Sequence, residues 1–232
     1  MTLETKRPLK KLNNKNFAEH IKLYLKSSYQ FYGTLVPEIN VLAKKLHEEH
    51  NLKQFYKIFN KLWESGSYEE TSLALYTLEL YEKDFDFSTW KFIKPKLKNI
   101  KSRDQIEAIA TKVIGKIIQK YPRLEKEIIK LNKRKDLVMK QLTLMSSIPK
   151  IKDNDLRLGM TLIKNNLYDE DTKVQEIVGE LLNEASKVNK ERVKKFILKN
   201  KNMPEKTFLK ATENMKDLRQ IRRKKMKAKK KR

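Results

Sequence analysis

The chain has 232 residues and carries 54 lysines and arginines against 29 aspartates and glutamates, a formal charge of +25 at neutral pH. This length fits one large domain or two small ones, and the charge attracts polyanions, nucleic acid first and an anionic membrane surface second. The absence of cysteine excludes disulfides, thiolate metal sites and cysteine nucleophiles. No apolar stretch approaches the roughly 18 residues of a membrane span, and residues 1–15 are polar, so we expect an intracellular, cytoplasmic protein.

Apolar residues recur at helical spacing along almost the whole chain. The first runs cover residues 17–24, 39–46, 55–62 and 73–81, and further runs begin near Ile106, Leu124, Leu137, Leu156, Val174, Val193 and Phe208. Each run presents an apolar stripe opposite a face of lysine and glutamate, which predicts about twelve amphipathic helices and no alternating strand. The predicted fold class is therefore all-α.

Short clusters of turn and cap residues separate these runs. They lie at residues 33–37, 65–67, 120–122, 147–149, 169–171 and 200–204. Ser102 and Asp171 stand where a side chain can accept free amide protons at a helix start. Helix pairs of about 30–40 residues joined by tight turns predict a HEAT-like helical-repeat solenoid of antiparallel pairs, with a basic concave face that suits an elongated partner.

The predicted organisation has three parts. They are a polar N-terminal extension over residues 1–15, a HEAT-like repeat domain over 16–215 and a basic tail over 216–232. In the segment 222–232 almost every residue is basic, so a solvated, disordered end and an electrostatic arm that contacts phosphates are both compatible with it. More than half of the positive excess precedes the tail, so the repeat domain is basic as well.

Several kinds of catalytic site are missing from the sequence. His47 and His50 are three residues apart, whereas the zinc-protease motif needs a spacing of four, so a solvated helix face explains them better. The segment 65–67 lacks the first glycine of a nucleophile elbow, and no glycine-rich loop could hold a phosphate. Triad hydrolases and nucleotide kinases are therefore excluded, and nothing predicts a metal or a cofactor.

Carboxylates remain as candidates for chemistry. Asp104 and Glu107 are three residues apart at the start of a helix predicted over about 102–120, so they share one face. Acids at a helix N-terminus also complement its dipole, which is the structural alternative. Gly179, inside a helical pattern, disfavours the helix by about 1 kcal/mol relative to alanine, which predicts close packing or the approach of another backbone. Glu180 follows this glycine between apolar neighbours.

Lysines along the repeat domain are the candidates for phosphate contact. As a group they are Lys45, Lys112, Lys140, Lys173, Lys194, Lys195 and Lys199. Aromatic residues also interleave with basic ones, for example at 29–32 and 90–92, but aromatics at helical spacing more often belong to a core. We therefore expect them in the core and the lysines at the surface.

Four groups of motifs occur in a characteristic order. They are FYGxxVPE at 31–38 with LAK at 42–44, LWESGxxE at 62–69, VQxxxG at 174–179 with EAxK at 184–187, and VxxFI at 193–197 with NM at 202–203 and KATE at 210–213. In order and spacing they resemble the AlkD-type DNA alkylation repair family over roughly residues 20–215. The resemblance implies a curved stack of HEAT-like helix pairs whose basic concave face holds duplex DNA.

The resemblance also implies an activity, hydrolysis of the N-glycosidic bond of cationic methylated purines. Active members of the family place two tryptophans, an aspartate and an arginine around the lesion. Bond cleavage builds positive charge on the sugar, which a nearby carboxylate stabilises. The aromatic faces attract the cationic base by about 0.5–2 kcal/mol each.

This chain differs from the family pattern at each of these positions. Where active members read Trp-Asp-x-x-Asp, residues 103–107 read RDQIE, so that the carboxylate is kept as Glu107 and the tryptophan becomes Arg103. Glu180 stands in place of the second tryptophan, and the family arginine aligns best with Gln141, next to a basic residue. Because Arg103 repels a cationic base, the resemblance supports DNA binding more strongly than glycosylase activity.

The sequence therefore predicts a DNA-binding protein that grips duplex or branched DNA by its phosphates, with weak, altered or absent glycosylase activity. One alternative is an active glycosylase that excises N3- or N7-alkylated purines with Glu107, and with Asp104 as a second candidate catalytic residue. Another is a helical-repeat scaffold that binds RNA or an acidic protein. We expect a monomer that uses no cofactor, metal or membrane.

Overall fold

The computed structural model describes residues 9, 14–25, 28–215 and 217–219. Within these ranges the chain is helical, and its β-type pairing is limited to an isolated bridge between Gln30 and Ser67. The all-α prediction is confirmed. Over the same ranges every helix is too short or too polar to cross a bilayer. The domain limits at 15/16 and 215/216 stay predictions, and the basic segment 222–232 lies outside the described residues.

The chain divides into two compact units, Met1–Ile117 and Ile118–Arg232. In the first unit α1 spans Lys15–Leu25, α2 Val36–Glu49, α3 Leu52–Trp63, α4 Tyr68–Leu80, α5 Phe87–Ile93 and α6 Arg103–Ala108. Short 3₁₀ helices over Glu82–Asp84 and Lys94–Asn99 flank α5, and α6 continues through a π-helical segment, Ile109–Ile114, into α7, Gly115–Lys120.

The second unit continues with a 3₁₀ turn and seven further α-helices among its described residues. The turn spans Pro122–Leu124, and the helices are α8 Glu125–Asn132, α9 Leu137–Met145, α10 Ile148–Lys152, α11 Arg157–Asn166, α12 Thr172–Val188, α13 Lys190–Lys199 and α14 Glu205–Ala211. The long helix α12 is central, because it packs against all of α9, α10, α11, α13 and α14. Its buried stripe of Val174, Ile177, Val178, Leu181 and Leu182 accounts for this position.

Side-chain caps define several helix starts. Asp171 accepts hydrogen bonds from the amides of Lys173 and Val174 at 2.8 and 3.1 Å, which confirms its predicted role at the start of α12. Ser102 precedes α6 at the predicted place, but the prediction that it caps the helix is wrong. Its hydroxyl is buried and has no hydrogen-bond partner among the described residues, so the free amides of α6 are not capped by it.

The core of the first unit contains several large aromatic residues. Phe55, Phe59 and Trp90 are almost completely buried, and Tyr56 stacks on Phe92 with ring centroids 3.9 Å apart. Burial of each large apolar side chain contributes about 1.5–3 kcal/mol. Of the aromatics that interleave with lysines, Tyr29 and Trp90 thus serve the core as expected, whereas the expectation is wrong for Tyr24, which is 86% exposed.

Gly179 allows a close contact between α12 and α14. A Cβ added at this position would lie 2.7 Å from the backbone oxygen of Thr207 and 2.5 Å from Cβ of Lys210. The Thr207 hydroxyl also donates to the backbone oxygen of Gln175 at 3.0 Å. The predicted approach of another backbone is confirmed, and it fixes the segment that carries Glu180.

Candidate nucleic-acid interface

Asp104 and Glu107 lie one turn apart on the exposed side of α6, as their spacing predicts. The buried side of this helix holds Gln105, whose amide lies 3.5 Å from the backbone oxygen of Tyr68 and 3.4 Å from the Ser72 hydroxyl, both on α4. These contacts attach α6 to α4. The exposed pair of carboxylates is therefore held on a fixed surface of the first unit.

The two carboxylates have different surroundings. The Tyr68 hydroxyl donates a hydrogen bond to the Asp104 carboxylate. The Glu107 side chain forms no hydrogen bond or ion pair with any residue that the structure describes. Arg103, where the resemblance places a tryptophan, is exposed at the first position of α6. Of the two candidate catalytic acids, Glu107 is the one whose carboxylate is available to a ligand.

A π-helical segment, Ile109–Ile114, follows α6 directly. The Thr111 hydroxyl donates to the backbone oxygen of Glu107 at 2.8 Å at the start of this segment. Short π-helical insertions place an extra residue in a turn and occur often at functional sites. The apolar periodicity of the sequence did not reveal this segment.

Aromatic residues surround Asp104. The Tyr68 ring stacks on Phe31 at 5.2 Å and meets Tyr29 edge-on at 6.2 Å between centroids. Burial raises the pKa of Tyr68, and the hydrogen bond to Asp104 raises it further. Burial followed by the charge of Asp104 also raises the pKa of Tyr76. Both phenols thus stay protonated at neutral pH, and Tyr68 remains a hydrogen-bond donor to Asp104.

Two buried glutamates at the start of α4 support this aromatic cluster. Glu69 Oε1 accepts the backbone N–H groups of Tyr32 and Gly33 at 2.9 and 2.7 Å. Glu70 accepts the Tyr32 hydroxyl at 2.9 Å, and burial together with this bond raises the pKa of Tyr32 to about 12. The FYG segment is thereby attached to α4, which places Phe31 against the Tyr68 ring. The LWESGxxE motif includes Glu69, but the sequence did not predict the contacts of either glutamate, because their partners are 36–38 residues away.

The other substituted positions lie in the second unit. Gln141 is only 4% exposed, whereas the adjacent Lys140 reaches the surface and forms an ion pair with Asp169. Glu180 is partly exposed on α12. The hydrogen bond and the charge of Glu213 raise the pKa of Lys210 on α14, and the charge of Glu180 adds a smaller contribution. Of the residues at the position of the family arginine, Lys140 is therefore the one that a ligand can reach.

The seven candidate lysines fall into two groups. Lys45, Lys140 and Lys194 each form an ion pair, with Glu49, Asp169 and Asp217 respectively. The other four lysines are exposed and form no ion pair with any described residue. They are Lys112, Lys173, Lys195 and Lys199. Lys195 and Lys199 are one turn apart on α13, and like charges at this spacing destabilise a helix by about 0.2–0.5 kcal/mol. None of the four forms an ion pair with a described residue, although the charge of Lys112 acts on Glu79, and all four are exposed to an external anion.

Lys150 shows the opposite arrangement, a cation used inside the protein. Its side chain is nearly buried on α10 and pairs with Glu125 and with Asp155, the latter at 2.8 Å. Burial lowers the pKa of Lys150, but the hydrogen bonds to Asp155 and Glu125 outweigh burial and the net shift is upward. A hydrogen bond from Arg157 holds the pKa of Asp155 well below its usual range. Lys150 is therefore not available to a nucleic acid.

Among the described residues, no three His, Asp or Glu side chains come together to hold a metal ion.

Comparison with known proteins identifies the family. No curated protein matches the sequence. The fold is similar to that of a solved structure named "Predicted DNA alkylation repair enzyme from Enterococcus faecalis", with a TM-score of 0.77 and 15% identity over 88% of this chain and 96% of that chain. This likeness shows a shared helical fold and agrees with the predicted helical-repeat solenoid.

The sequence itself carries the family assignment. A family model described as DNA alkylation repair enzyme matches residues 5–215, which is most of the chain and includes all of α1 to α14. The order of motifs in the sequence leads to the same result. The chain belongs to the DNA alkylation repair enzyme family.

Proposed function

We propose that this protein binds duplex or branched DNA through its phosphates and does not efficiently excise cationic alkylated purines. The observation that carries the proposal is the set of exposed, unpaired lysines in a member of a DNA repair family, namely Lys112, Lys173, Lys195 and Lys199. Neutralising phosphates with such cations releases bound counterions, which drives sequence-independent binding to DNA.

The positions of two of these lysines support the proposal further. Lys112 lies on the continuous helical segment that carries Glu107, and Lys173 lies in the first turn of the helix that carries Glu180. Both therefore belong to the elements on which the family resemblance places its DNA contacts. Lys173 follows the capped N-terminus of α12, where the helix dipole also favours an anion.

The substitutions at the positions that align with the family's catalytic residues argue against efficient excision. A cationic base would meet the exposed Arg103 guanidinium, which repels it, in place of an aromatic face that attracts it. Glu180 likewise has no aromatic face to offer. Lys140, the accessible cation beside the position that aligns with the family arginine, forms an ion pair with Asp169. Loss of one electrostatic stabiliser lowers a rate by about 10²–10³-fold, and several losses leave little catalysis.

DNA affinity is expected to fall steeply with salt and to depend on Lys112 and Lys173. In fluorescence anisotropy with a labelled duplex, the logarithm of the association constant should fall linearly with the logarithm of salt concentration. The Lys112→Ala/Lys173→Ala protein should bind more weakly, with a slope smaller by about 2, since each lost phosphate contact removes about 1.

The matched control is Lys53→Ala/Lys57→Ala, which removes the same charge from two exposed lysines one turn apart on α3. Equal losses in the two double variants would assign the effect to net charge alone. A DNA affinity that does not change with salt concentration would rule out binding through phosphate contacts. Stronger competition by an RNA duplex than by DNA would favour the scaffold alternative.

Base release is expected to stay at background. Excess protein is incubated with duplex DNA that contains N7-methylguanine and 3-methyladenine, and released bases are counted against a reaction without protein. Release above this background that disappears in Glu107→Gln would instead show that Glu107 stabilises a sugar cation. In that case the family chemistry is retained and this part of the proposal is wrong.

A further inference from the structure

A shallow cleft of about 390 Å³ opens in the second unit where α9 meets the end of α11 and the turn before α12. Its lining residues are Lys140, Lys164, Asn165, Tyr168, Asp169 and Glu170. Only Lys140 was singled out in the sequence, as a candidate for phosphate contact. The cleft therefore brings together groups that the family resemblance does not assign.

One wall of the cleft is fixed by Asp169. Its carboxylate pairs with the Lys140 ammonium and accepts the backbone N–H of Asp171 at 3.0 Å, and its side chain is only 11% exposed. Its backbone oxygen accepts the Gln175 amide at 2.9 Å. Lys140 and Asp169 thus neutralise each other, and the turn between α11 and α12 is attached to α9 through Lys140 and to α12 through Gln175.

The other four groups in the cleft are exposed and have no partner among the described residues. Tyr168 is 58% exposed and makes no ring contact. Lys164 and Asn165 in the last turn of α11, and Glu170 in the turn that follows, form no side-chain hydrogen bond or ion pair. An aromatic face, a cation, an amide and a carboxylate are therefore all available to a ligand at one place.

This combination fits a nucleotide better than a bare anion or an apolar molecule. The Lys164 ammonium suits a phosphate, and the face of Tyr168 suits a base, since base–aromatic stacking tolerates every base. Asn165 and Glu170 offer donors and acceptors to a base edge, as such side chains do in base recognition. In a paired duplex the base faces are covered by neighbouring pairs, so only an unpaired base can use the tyrosine face.

We propose that this cleft receives an unpaired nucleotide of a DNA strand, with its base on Tyr168 and its phosphate at Lys164. The proposal rests on the proposed DNA binding and deepens it, because it names the DNA structure that the protein prefers. A bulged, gapped or branched duplex then binds more tightly than a fully paired one.

The test compares a fully paired duplex with the same duplex carrying one bulged 2-aminopurine. The wild-type protein should bind the bulged DNA more tightly and quench the 2-aminopurine fluorescence by stacking. Tyr168→Ala should weaken binding of the bulged DNA by about 5- to 30-fold and abolish quenching, because one stacked base is lost. Its binding of the paired duplex should not change, and Tyr168→Phe should behave like the wild type.

The control is Tyr24→Ala, which removes another highly exposed tyrosine from α1 in the first unit. Thermal unfolding of Tyr168→Ala checks that the fold is intact. If the wild-type protein binds both DNAs equally, or Tyr168→Ala weakens both equally, the cleft does not hold an unpaired base while DNA binding itself stands. If the wild type binds neither DNA, the proposed function fails and the cleft proposal fails with it.

Discussion

Replacing Glu69 by alanine is expected to lower the free energy of unfolding by about 2–5 kcal/mol. Glu69 is completely buried, and its Oε1 accepts the backbone N–H groups of Tyr32 and Gly33. A buried donor that loses its partner costs about 1–3 kcal/mol, and two donors lose their partner together. Water cannot replace the carboxylate without opening the contact between the FYG segment and α4. Urea unfolding should show a lower midpoint with an unchanged m-value.

Glu69→Gln separates the acceptor from the charge. The glutamine oxygen can still accept both backbone N–H groups, and its amide can donate to the Ser67 hydroxyl, which lies 3.3 Å from Glu69 Oε2 in the native protein. Only the charge assistance of these bonds is lost, which is expected to cost at most about 1.5 kcal/mol. If the glutamine and alanine variants lost equal stability, the negative charge and not the paired acceptor would be what Glu69 contributes.

The consequence of Glu69 for function is indirect. By fixing the FYG segment it holds Phe31 against Tyr68, and Tyr68 in turn donates to Asp104. This chain of contacts defines the exposed face of α6 on which Glu107 lies. Glu69→Gln should therefore leave DNA affinity unchanged, which distinguishes support of the fold from contact with DNA.

The sequence predicted the helices well but not their partners. The spacing of apolar residues reports which face of a helix is buried, so the exposed positions of Asp104, Glu107 and Lys112 follow from local pattern alone. The partner of Asp104 does not, because Tyr68 is 36 residues away and nothing in the pattern relates the two. The π-helical segment was missed because its apolar residues keep the spacings of three and four residues that a regular α-helix also shows.

The position of the family arginine shows how a one-residue difference alters a site. Successive residues on an α-helix point about 100° apart, so an alignment shifted by one residue exchanges a buried side chain for an exposed one. Gln141 was the better match in sequence, yet its side chain is buried and Lys140 reaches the cleft. The cleft lined by Lys140 and Tyr168 was missed for a different reason. Residues 169–171 predicted a turn, but the sequence did not show which helices the turn packs against.

Replacing Gly179 by alanine is expected to destabilise the protein by about 2–3 kcal/mol, although alanine favours a helix by about 1 kcal/mol. The new methyl group would lie 2.7 Å from the backbone oxygen of Thr207 and 3.3 Å from its Cα, so α14 as a whole must move away from α12. Overpacking of this kind costs about 1–3 kcal/mol, and the displacement also breaks the hydrogen bond from the Thr207 hydroxyl to Gln175. The net effect is therefore unfavourable, and thermal or urea unfolding measures it.

Gly159→Ala is the matched control, because Gly159 is also a buried glycine inside a helix. A Cβ at this position would meet Cδ1 and Cγ1 of Ile151 at 2.7 and 2.9 Å, and these side-chain atoms can shift without moving a helix. Here the gain in helix propensity offsets most of the strain, so the change should stay within about 1 kcal/mol of zero. A loss at Gly179 no larger than the loss at Gly159 would mean that α14 moves easily against α12. Because Glu180 follows Gly179 directly, a rigid contact between α12 and α14 would hold Glu180 in one position, which a loose contact could not do.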